Sequence, residues 1–544
     1  MASRGEVVSS PTLGDRFATQ SNERPRGRVP GPVVVSAPVV CAWLVSVVMR
    51  WGDWRSGYPN MEATYHSLLM LRALQADSFS DHLGLPTVTL GGADDHWIPW
   101  AATVPTSSGA YIYTSFGSIG WLIPSILLRI MGVTPSLGAL FGLGVILGLA
   151  CALGLALLAW AIVRTRAYED STVRRLLVGT VVGVGYLFAP EVLLSQGALL
   201  WVHALTQLFL VGACAGFYLA LSRSDRRRGV LLLFVSMTLY SAAEWSGCVA
   251  GAGFAAVAGV AWWRWRDKNL LCVAGTSAAG AVVGAVGMAV HFAAGVGVGP
   301  LMVAWRARFL YRSGVQSRPF TESLLVWQAG LLVSLGLLLP VVLALAVVLR
   351  KRSGWGLRPS RMPRVAVLTV MAGCTPLAEN LLLLEHAAEF SFDRLKWLVP
   401  MVLLLGLLAD AFRERLAVVP VVAVLMCAVV GLAVYQGRLQ TTSERWNAAA
   451  GRNAAAAAWT EDVLGGDTRC ATFSSSGDVR GYVDVVFNRS VYEAVPDFTA
   501  ARALTRKRSG CATVFVTTVP VLTDMPAITR VRVERGGRTA NWAG

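Results

Sequence analysis

The chain has 544 residues, of which 55% are hydrophobic and 15% charged, with a formal charge of +16 and a mean hydropathy of +0.55. Soluble chains carry about 25% charged residues, so an ordinary soluble globular protein is excluded. The arginines cluster in short stretches between apolar runs, which is the positive-inside pattern of a membrane protein and leaves no nucleic-acid partner to explain the charge.

Residues 1–32 are rich in Arg, Gly, Pro and Ser and read as a disordered tail, with Arg24, Arg26 and Arg28 holding it on the cytoplasmic side. The apolar run 33–49 lacks a small-residue cleavage site and reads as a retained signal-anchor helix. It delivers a large outer loop, 51–135, that opens with Trp51-Gly52-Asp53-Trp54-Arg55 and continues through Met61-Glu62-Ala63-Thr64-Tyr65-His66. Leu68, Leu69, Leu71 and Leu74 recur at three- and four-residue spacing, so Ala63–Asp77 is expected to be a helix lying along the membrane surface. Asp94-Asp95-His96 offers metal-ligand types without a second ligand set at recognisable spacing, and reads as a solvated turn. The run 116–131 holds Pro124 and Arg129 and reads as interfacial or re-entrant.

Spanning helices are expected at about 136–163, 174–190, 196–221, 229–245, 247–263, 269–294, 323–349, 364–384, 395–411 and 415–435. With the anchor this makes about eleven, each near the roughly 20 residues a bilayer requires. If 116–131 does not span, every basic loop between these helices falls on the cytoplasmic side. The expected fold is therefore an all-α polytopic bundle over 33–436, followed by an extracytoplasmic region, 437–544. That region begins with an Ala-rich helix, about 441–464. Cys470–Phe473, Val483–Phe487, Thr513–Thr517 and Arg530–Glu534 look strand-like, and Thr499–Lys507 helical, so a small α/β domain is expected. Cys470 and Cys511 pair if that side is oxidising; two buried thiols are the other reading.

Ionisable groups at a membrane edge are costly, so a functional role is the default hypothesis. Glu62 precedes the surface helix in a loop that also holds Asp53, and either carboxylate suits a general base; an acid complementing a helix dipole is the plainer reading. Glu244 lies near the outer end of a helix, where it binds a polar ligand or is simply solvated. Arg306, Arg308 and Arg312 stand in an outer loop against the charge trend, and phosphate or a lipid headgroup accounts for them. Glu379, Asn380, His386, Arg394 and Lys396 crowd another outer turn, as a site or as an ion-pair knot.

This layout resembles the GT-C-type glycosyltransferases that use polyprenyl-phosphate sugars, such as the aminoarabinose transferases and protein O-mannosyltransferases. The resemblance covers roughly residues 33–435. It rests on the acid before a surface helix (Met61-Glu62 leading to Leu68–Leu74), the bundle, and the late turn Glu385-His386 through Arg394-Leu395-Lys396-Trp397-Leu398-Val399-Pro400. Many relatives have an Asp-Glu pair where this chain has Met61-Glu62. The resemblance implies transfer of a sugar, with inversion, from a polyprenyl-phosphate donor to a glycan, lipid or protein acceptor at the outer face of the membrane, and the Ala, Arg and Gly bias of the composition points to a bacterial plasma membrane. It implies that Glu62 or Asp53 is catalytic and that Arg306, Arg308, Arg312, Arg394 and Lys396 hold the donor phosphate. His66, Glu244, Glu379, Asn380 and His386 would position sugar or acceptor, and neither cofactor nor metal is expected. A transporter or flippase of lipid-linked intermediates, and a non-catalytic envelope assembly protein, are the competing classes.

Overall fold

The structure is a computed structural model that describes residues 31–55, 62–90, 103–164, 172–222, 225–313, 320–333, 364–411, 418–466, 470–477, 481–491, 495–522 and 525–544. Asp94, Asp95 and His96 lie outside the described residues, as do the tail before 31 and much of the expected span 323–349.

The described chain begins with α1 (Gly31–Met49) and a 3-10 turn, Asp53–Arg55. Then come α2 (Glu62–Ala76), α3 (Phe79–His82), the antiparallel pair β1 (Thr103–Pro105) and β2 (Tyr111–Tyr113), and α4 (Ile119–Ile130). The bundle continues through α5 (Leu137–Arg164), α6 (Thr172–Leu187), α7 (Pro190–Ser195), α8 (Val202–Leu221), α9 (Arg226–Ala243), α10 (Trp245–Trp265) and α11 (Lys268–Val296). It closes with α12 (Val298–Arg312), α13 (Phe320–Val333), α14 (Arg364–Cys374), α15 (Leu377–Leu382), α16 (Leu384–Glu389), a 3-10 turn at Ser391–Arg394, and α17 (Leu395–Ala411).

Among the described residues, five helices are long and apolar enough to cross a membrane: Leu137–Val163, Val202–Leu221, Trp245–Trp265, Lys268–Val296 and Arg364–Leu382. A bent pair, Val424–Gln440 with Glu444–Val463, makes a sixth if it counts as one. Helices α1, α6, α9 and α17 coincide with expected spans but do not meet those limits of length and composition, so the expected eleven is not reached on this measure. The helices approach closely through small residues, as membrane helices do. A Cβ on Gly251 would meet that of Ala281 at 2.2 Å, and one on Gly284 would meet the Thr238 carbonyl at 2.2 Å.

The loop after α1 is built around α2. Leu68, Leu69, Leu71 and Leu74 are buried, and each contributes roughly 1.5–3 kcal/mol of transfer free energy. One side of α2 packs on the stretch before α8: Ser67 Oγ donates to the Leu200 carbonyl (2.9 Å) and Leu200 N–H donates to Thr64 Oγ1 (3.0 Å). On the other side Arg72 Nη1 donates to the Val485 carbonyl at 2.9 Å. The helix expected to lie along the membrane surface is thus packed between two parts of the chain. The loop is anchored again at Gly117, whose N–H donates to the Ala243 carbonyl at 2.9 Å. A Cβ there would stand 1.8 Å from the Ala242 carbonyl oxygen. Gly117→Ala therefore forces this backbone contact apart, and a lowered unfolding temperature is expected in detergent. An unchanged midpoint would mean that the loop does not seat there.

Helix α18 (Val418–Val463) runs out of the bundle and is bent by 48° between Gln440 and Glu444. The span and Ala-rich helix expected from the sequence are its two arms, joined through the bend. Beyond it, β3 (Ala471–Ser475), β4 (Ala512–Leu522), β5 (Met525–Arg535) and β6 (Arg538–Ala543) form a sheet in the order β3-β4-β5-β6. The first pair is parallel and the others antiparallel. The crossover between β3 and β4 contains α19 (Gly481–Phe487) and α20 (Phe498–Lys507), the latter capped where Asp497 Oδ1 accepts from Ala500 N–H at 2.8 Å. Val483–Phe487, expected as a strand from its valines, is helical; it packs against α2, and that contact overrides propensity. Cys470 and Cys511 form a disulfide that staples the starts of the parallel pair.

Between α2 and this region lies a polar groove of about 470 Å3 lined by Asp77, Glu461, Asn488 and Arg489. Burial, with a smaller push from Asp81, raises the Asp77 carboxyl to about 7. A folded-state value above the unfolded one means that the folded protein binds the proton more tightly, so this site loses stability as pH rises from about 4 to 7. Asp77→Asn should raise the unfolding temperature at pH 8 and leave it nearly unchanged at pH 4. An equal effect at both values would show that the carboxyl titrates normally.

Candidate active site

Four segments converge at one end of the bundle: the start of α8, the break between α9 and α10, α15, and the turn from α16 into α17. The break is where Glu244 sits, with extended backbone (φ −155°, ψ 146°) between two helices. Gly247 lets the chain turn back there, since a Cβ on it would be 2.4 Å from the Ser241 nitrogen. Pro376 caps α15 after the bend that ends α14, and the turn through Phe390 folds His386 and Asp393 together.

These segments bury His203, Glu244, Glu379, His386, Asp393 and Lys396 in one network. His203 Nε2 lies 3.1 Å from Glu244 Oε1 and 2.5 Å from Asp393 Oδ1. The other Asp393 oxygen accepts from His386 Nδ1. Thr206 Oγ1 donates to Glu244 Oε2 at 2.7 Å, and Asn380 Nδ2 donates to the Asp393 backbone carbonyl at 3.2 Å. Lys396 Nζ is 3.7 Å from Glu244 Oε1 and also pairs with Glu379 Oε2. Gln207 Nε2 donates to the Leu395 carbonyl at 2.7 Å and ties α8 to the start of α17.

In the turn, outside the spanning segments, burial lowers the His386 imidazole to about 4, against the pull of the Asp393 carboxylate and with help from the positive charges of Arg312 and Arg308. His386 is therefore neutral at pH 7. For Asp393, burial pushes the carboxyl up, but the imidazoles of His386 and His203 together outweigh it and hold the group well below the usual range.

His203, Glu244 and Asp393 bring three ligand-type atoms within 4.8 Å of one another. Two ligands about 2.0–2.1 Å from one tetrahedral ion stand roughly 3.3 Å apart. The 2.5 Å contact between His203 Nε2 and Asp393 Oδ1 is shorter than that and is a hydrogen bond, and the Lys396 ammonium stands beside Glu244. As arranged, the three are a hydrogen-bonded network.

A cavity of about 290 Å3 opens beside the network. Trp245, Val249, Trp305, Phe309, Leu382 and Leu383 give it an apolar wall, while Arg308, Arg312 and Glu379 line its polar part. Arg312 is 5% exposed, and its Nε and Nη2 have no hydrogen-bond partner among the described residues; the same holds for Arg308 Nε. The Arg312 guanidinium lies 4.6 Å from the centre of the Phe116 ring. Phe116 continues into a wall of rings: it stands 5.5 Å from Trp201 and 5.4 Å from His203, and His203 stands 4.9 Å from Phe392.

The structure thus brings Glu244, Glu379, Asn380, His386 and Lys396 together beside Arg308 and Arg312. It sets others apart. The stretch read as an outer loop is the helix α12, so Arg308 and Arg312 share a face while Arg306 is exposed on another. Arg394 turns to Glu191 at 3.6 Å and to the carbonyls of Ala387 and Ala388. Asp53 accepts from Tyr435 Oη at 3.0 Å and does not line the cavity. His66 faces Trp201, with ring centres 6.4 Å apart. Glu62 is the first residue of α2, one turn before His66, and its contacts lie outside the described residues. Sequence reasoning gave no role to His203 or Asp393. The spacing of His203, Thr206 and Gln207 in an otherwise apolar span was the signal available for the first.

No protein-family model and no curated protein matches the sequence. Among solved structures, that of ArnT from Cupriavidus metallidurans bound to undecaprenyl phosphate is similar over 89% of this chain and 92% of that one, at 12% identity and a TM-score of 0.53. The archaeal oligosaccharyltransferase AglB from Archaeoglobus fulgidus, in complex with an inhibitory peptide and a dolichol-phosphate, is similar over 89% of this chain and 69% of that one, at 13% identity and a TM-score of 0.48, a level that carries no weight here. The likeness is one of fold: this chain of apolar helices is folded as ArnT is.

Proposed function

We propose that the chain is an integral-membrane glycosyltransferase that moves a sugar from a polyprenyl-phosphate donor to an acceptor hydroxyl on a glycan, lipid or protein of the cell envelope. The observation that carries the reading is the pair Arg308 and Arg312 lining an apolar cavity, with Arg308 Nε and Arg312 Nε and Nη2 buried without a hydrogen-bond partner among the described residues. Buried donors of that kind are costly unless an anion fills them, and a phosphodiester with an isoprenoid tail matches both the donors and the wall. The fold shared with ArnT, solved with undecaprenyl phosphate, supports the same reading. Arg308 and Arg312 hold the phosphate and stabilise the charge that grows on it as the sugar leaves. Glu244, Glu379, Asn380 and Lys396 shape the sugar end of the site. On this reading the site faces the outer side of a bacterial plasma membrane, the N-terminus is cytoplasmic, and residues 437–544 form an extracytoplasmic domain beside residues 33–436 of the membrane domain.

The test compares two lipids on the purified full chain in nanodiscs. Undecaprenyl phosphate should bind at least tenfold more tightly than undecaprenol, and a panel of undecaprenyl-phosphate pentoses and hexoses should include one that the protein consumes with release of the lipid phosphate. Equal binding of the two lipids would overturn the phosphate site. Passage of lipid across the bilayer without consumption of any donor would put a flippase in its place.

A further inference from the structure

An acceptor hydroxyl must lose its proton as its oxygen attacks the sugar, and the carboxylates near the cavity are already engaged. Glu379 is paired with Lys396, and Glu244 is shared by Thr206, His203 and Lys396. Position 61 is a methionine, which takes no proton.

His386 is arranged differently. Its Nδ1 donates to Asp393, whereas its Nε2 makes no hydrogen bond among the described residues, and the side chain keeps 7% exposure. Asp393 is itself fixed twice more, by His203 Nε2 at 2.5 Å on its second oxygen and by Asn380 at its backbone carbonyl. The rings of Phe390 and Phe392, with centres 4.6 Å and 6.1 Å from the imidazole, set its plane. His386 is in α16, the helix that starts directly after Leu382 and Leu383, which line the cavity. A carboxylate holding one imidazole nitrogen while the other stays open is the arrangement that makes histidine a base.

We infer that His386 is the general base of the transfer, its Nε2 taking the acceptor proton, with Asp393 and His203 as the residues that position it. The inference rests on the glycosyl-transfer reading above. In the step, the acceptor O–H proton passes to His386 Nε2 and the acceptor oxygen bonds to the anomeric carbon. The bond from that carbon to the phosphate oxygen breaks, and its electron pair leaves with the polyprenyl phosphate. His386 then returns the proton to water.

The charges that act on His386 are those of Asp393 and of Arg312 and Arg308 from α12; the other charged groups on the elements around it are His203, bonded to Asp393, Glu322 on the packed helix α13, and Glu385 and Glu389 on its own helix. The two arginines oppose protonation in the empty site. A bound phosphate neutralises them, so donor binding itself moves the base toward working pH.

The experiment is nitrogen-15 histidine spectroscopy of the full chain in nanodiscs, where His386→Gln assigns one of the six histidines. At pH 7 the expected form is neutral with the proton on Nδ1, and adding undecaprenyl phosphate should shift its titration upward. A proton on Nε2, or an imidazolium at pH 7 without lipid, would overturn the inference. On the donor consumed by the wild type, His386→Gln should slow turnover about 100-fold or more, the range expected for a general base, while undecaprenyl phosphate affinity stays within threefold. Asp393→Asn should return the proton to Nε2 and slow turnover as well, a change that a purely structural role would not produce. Turnover of His386→Gln within threefold of the wild type would assign the base elsewhere. Failure of the wild type to bind undecaprenyl phosphate would instead remove the glycosyl-transfer reading, a result distinct from the tautomer.

Discussion

Replacing Arg312 with methionine should weaken undecaprenyl phosphate binding by about 100-fold or more, and should make the empty protein more stable. Both effects come from one fact. The guanidinium is buried with two nitrogens lacking partners among the described residues, and Arg308 stands one turn away. Removing one partner of a buried, hydrogen-bonded charge pair costs about 2–5 kcal/mol of binding. Without lipid, Nε and Nη2 have no hydrogen-bond partner to lose among the described residues. What goes is a poorly solvated charge and its contact with Phe116, the latter contributing about 0.5–2 kcal/mol. Methionine fills similar volume without needing donors satisfied, so the unfolding temperature without lipid should rise. Lipid that stabilises the wild type should no longer stabilise the variant. A variant that is less stable both with and without lipid would mean that Arg312 is a structural residue with an unseen partner.

Lys396→Met should act in the opposite direction and more severely. Its ammonium lies between Glu379 and Glu244, all three buried. Taking it away leaves two carboxylates facing each other in a dry site. Breaking a buried pair from one side costs about 3–5 kcal/mol, because the remaining charge keeps its desolvation penalty. Membrane yield and unfolding temperature should fall sharply. The companion change separates causes: Lys396→Met with Glu379→Gln removes one charge of each sign, and should recover most of the lost stability without recovering transfer. If the single and double variants are equally unstable, shape rather than charge at position 396 is what the bundle needs.

Much of this arrangement could be read from the chain alone, for definite reasons. The helix at Phe498–Lys507 announces itself because one-sided burial leaves a periodic trace, and α2 does so through the helical recurrence of its leucines although both its sides are covered. The crowded turn from Glu379 to Lys396 stood out because charges are so costly near a bilayer. What was hidden is pairing across distance. His203 and Asp393 are 190 positions apart, and neither sequence neighbourhood names the other. Arg306 looked equivalent to Arg308 and Arg312 until the stretch proved helical, when a difference of two residues became opposite faces. Val483–Phe487 misled because its valines favour a strand, while docking against α2 decided the matter.

The course of α18 beyond its bend, Glu444–Val463, makes the placement of everything after it a question of phase. Each residue of an α-helix advances the chain by about 100° of rotation, with 3.6 residues per turn. The region after α18 meets the loop through a few directional bonds, in which Ser490 N–H donates to the Leu90 carbonyl (2.8 Å) and Leu90 N–H to Ser490 Oγ (2.9 Å). One residue inserted near Asn453, which itself bonds Pro526 and Ile528, would swing those partners a quarter turn out of line. Inserting about one full turn would nearly restore the angle and merely lengthen the strut. The helix therefore works as a keyed shaft, and a series of one- to four-residue insertions should give activity that falls and then partly returns, rather than declining steadily as it would along a slack tether.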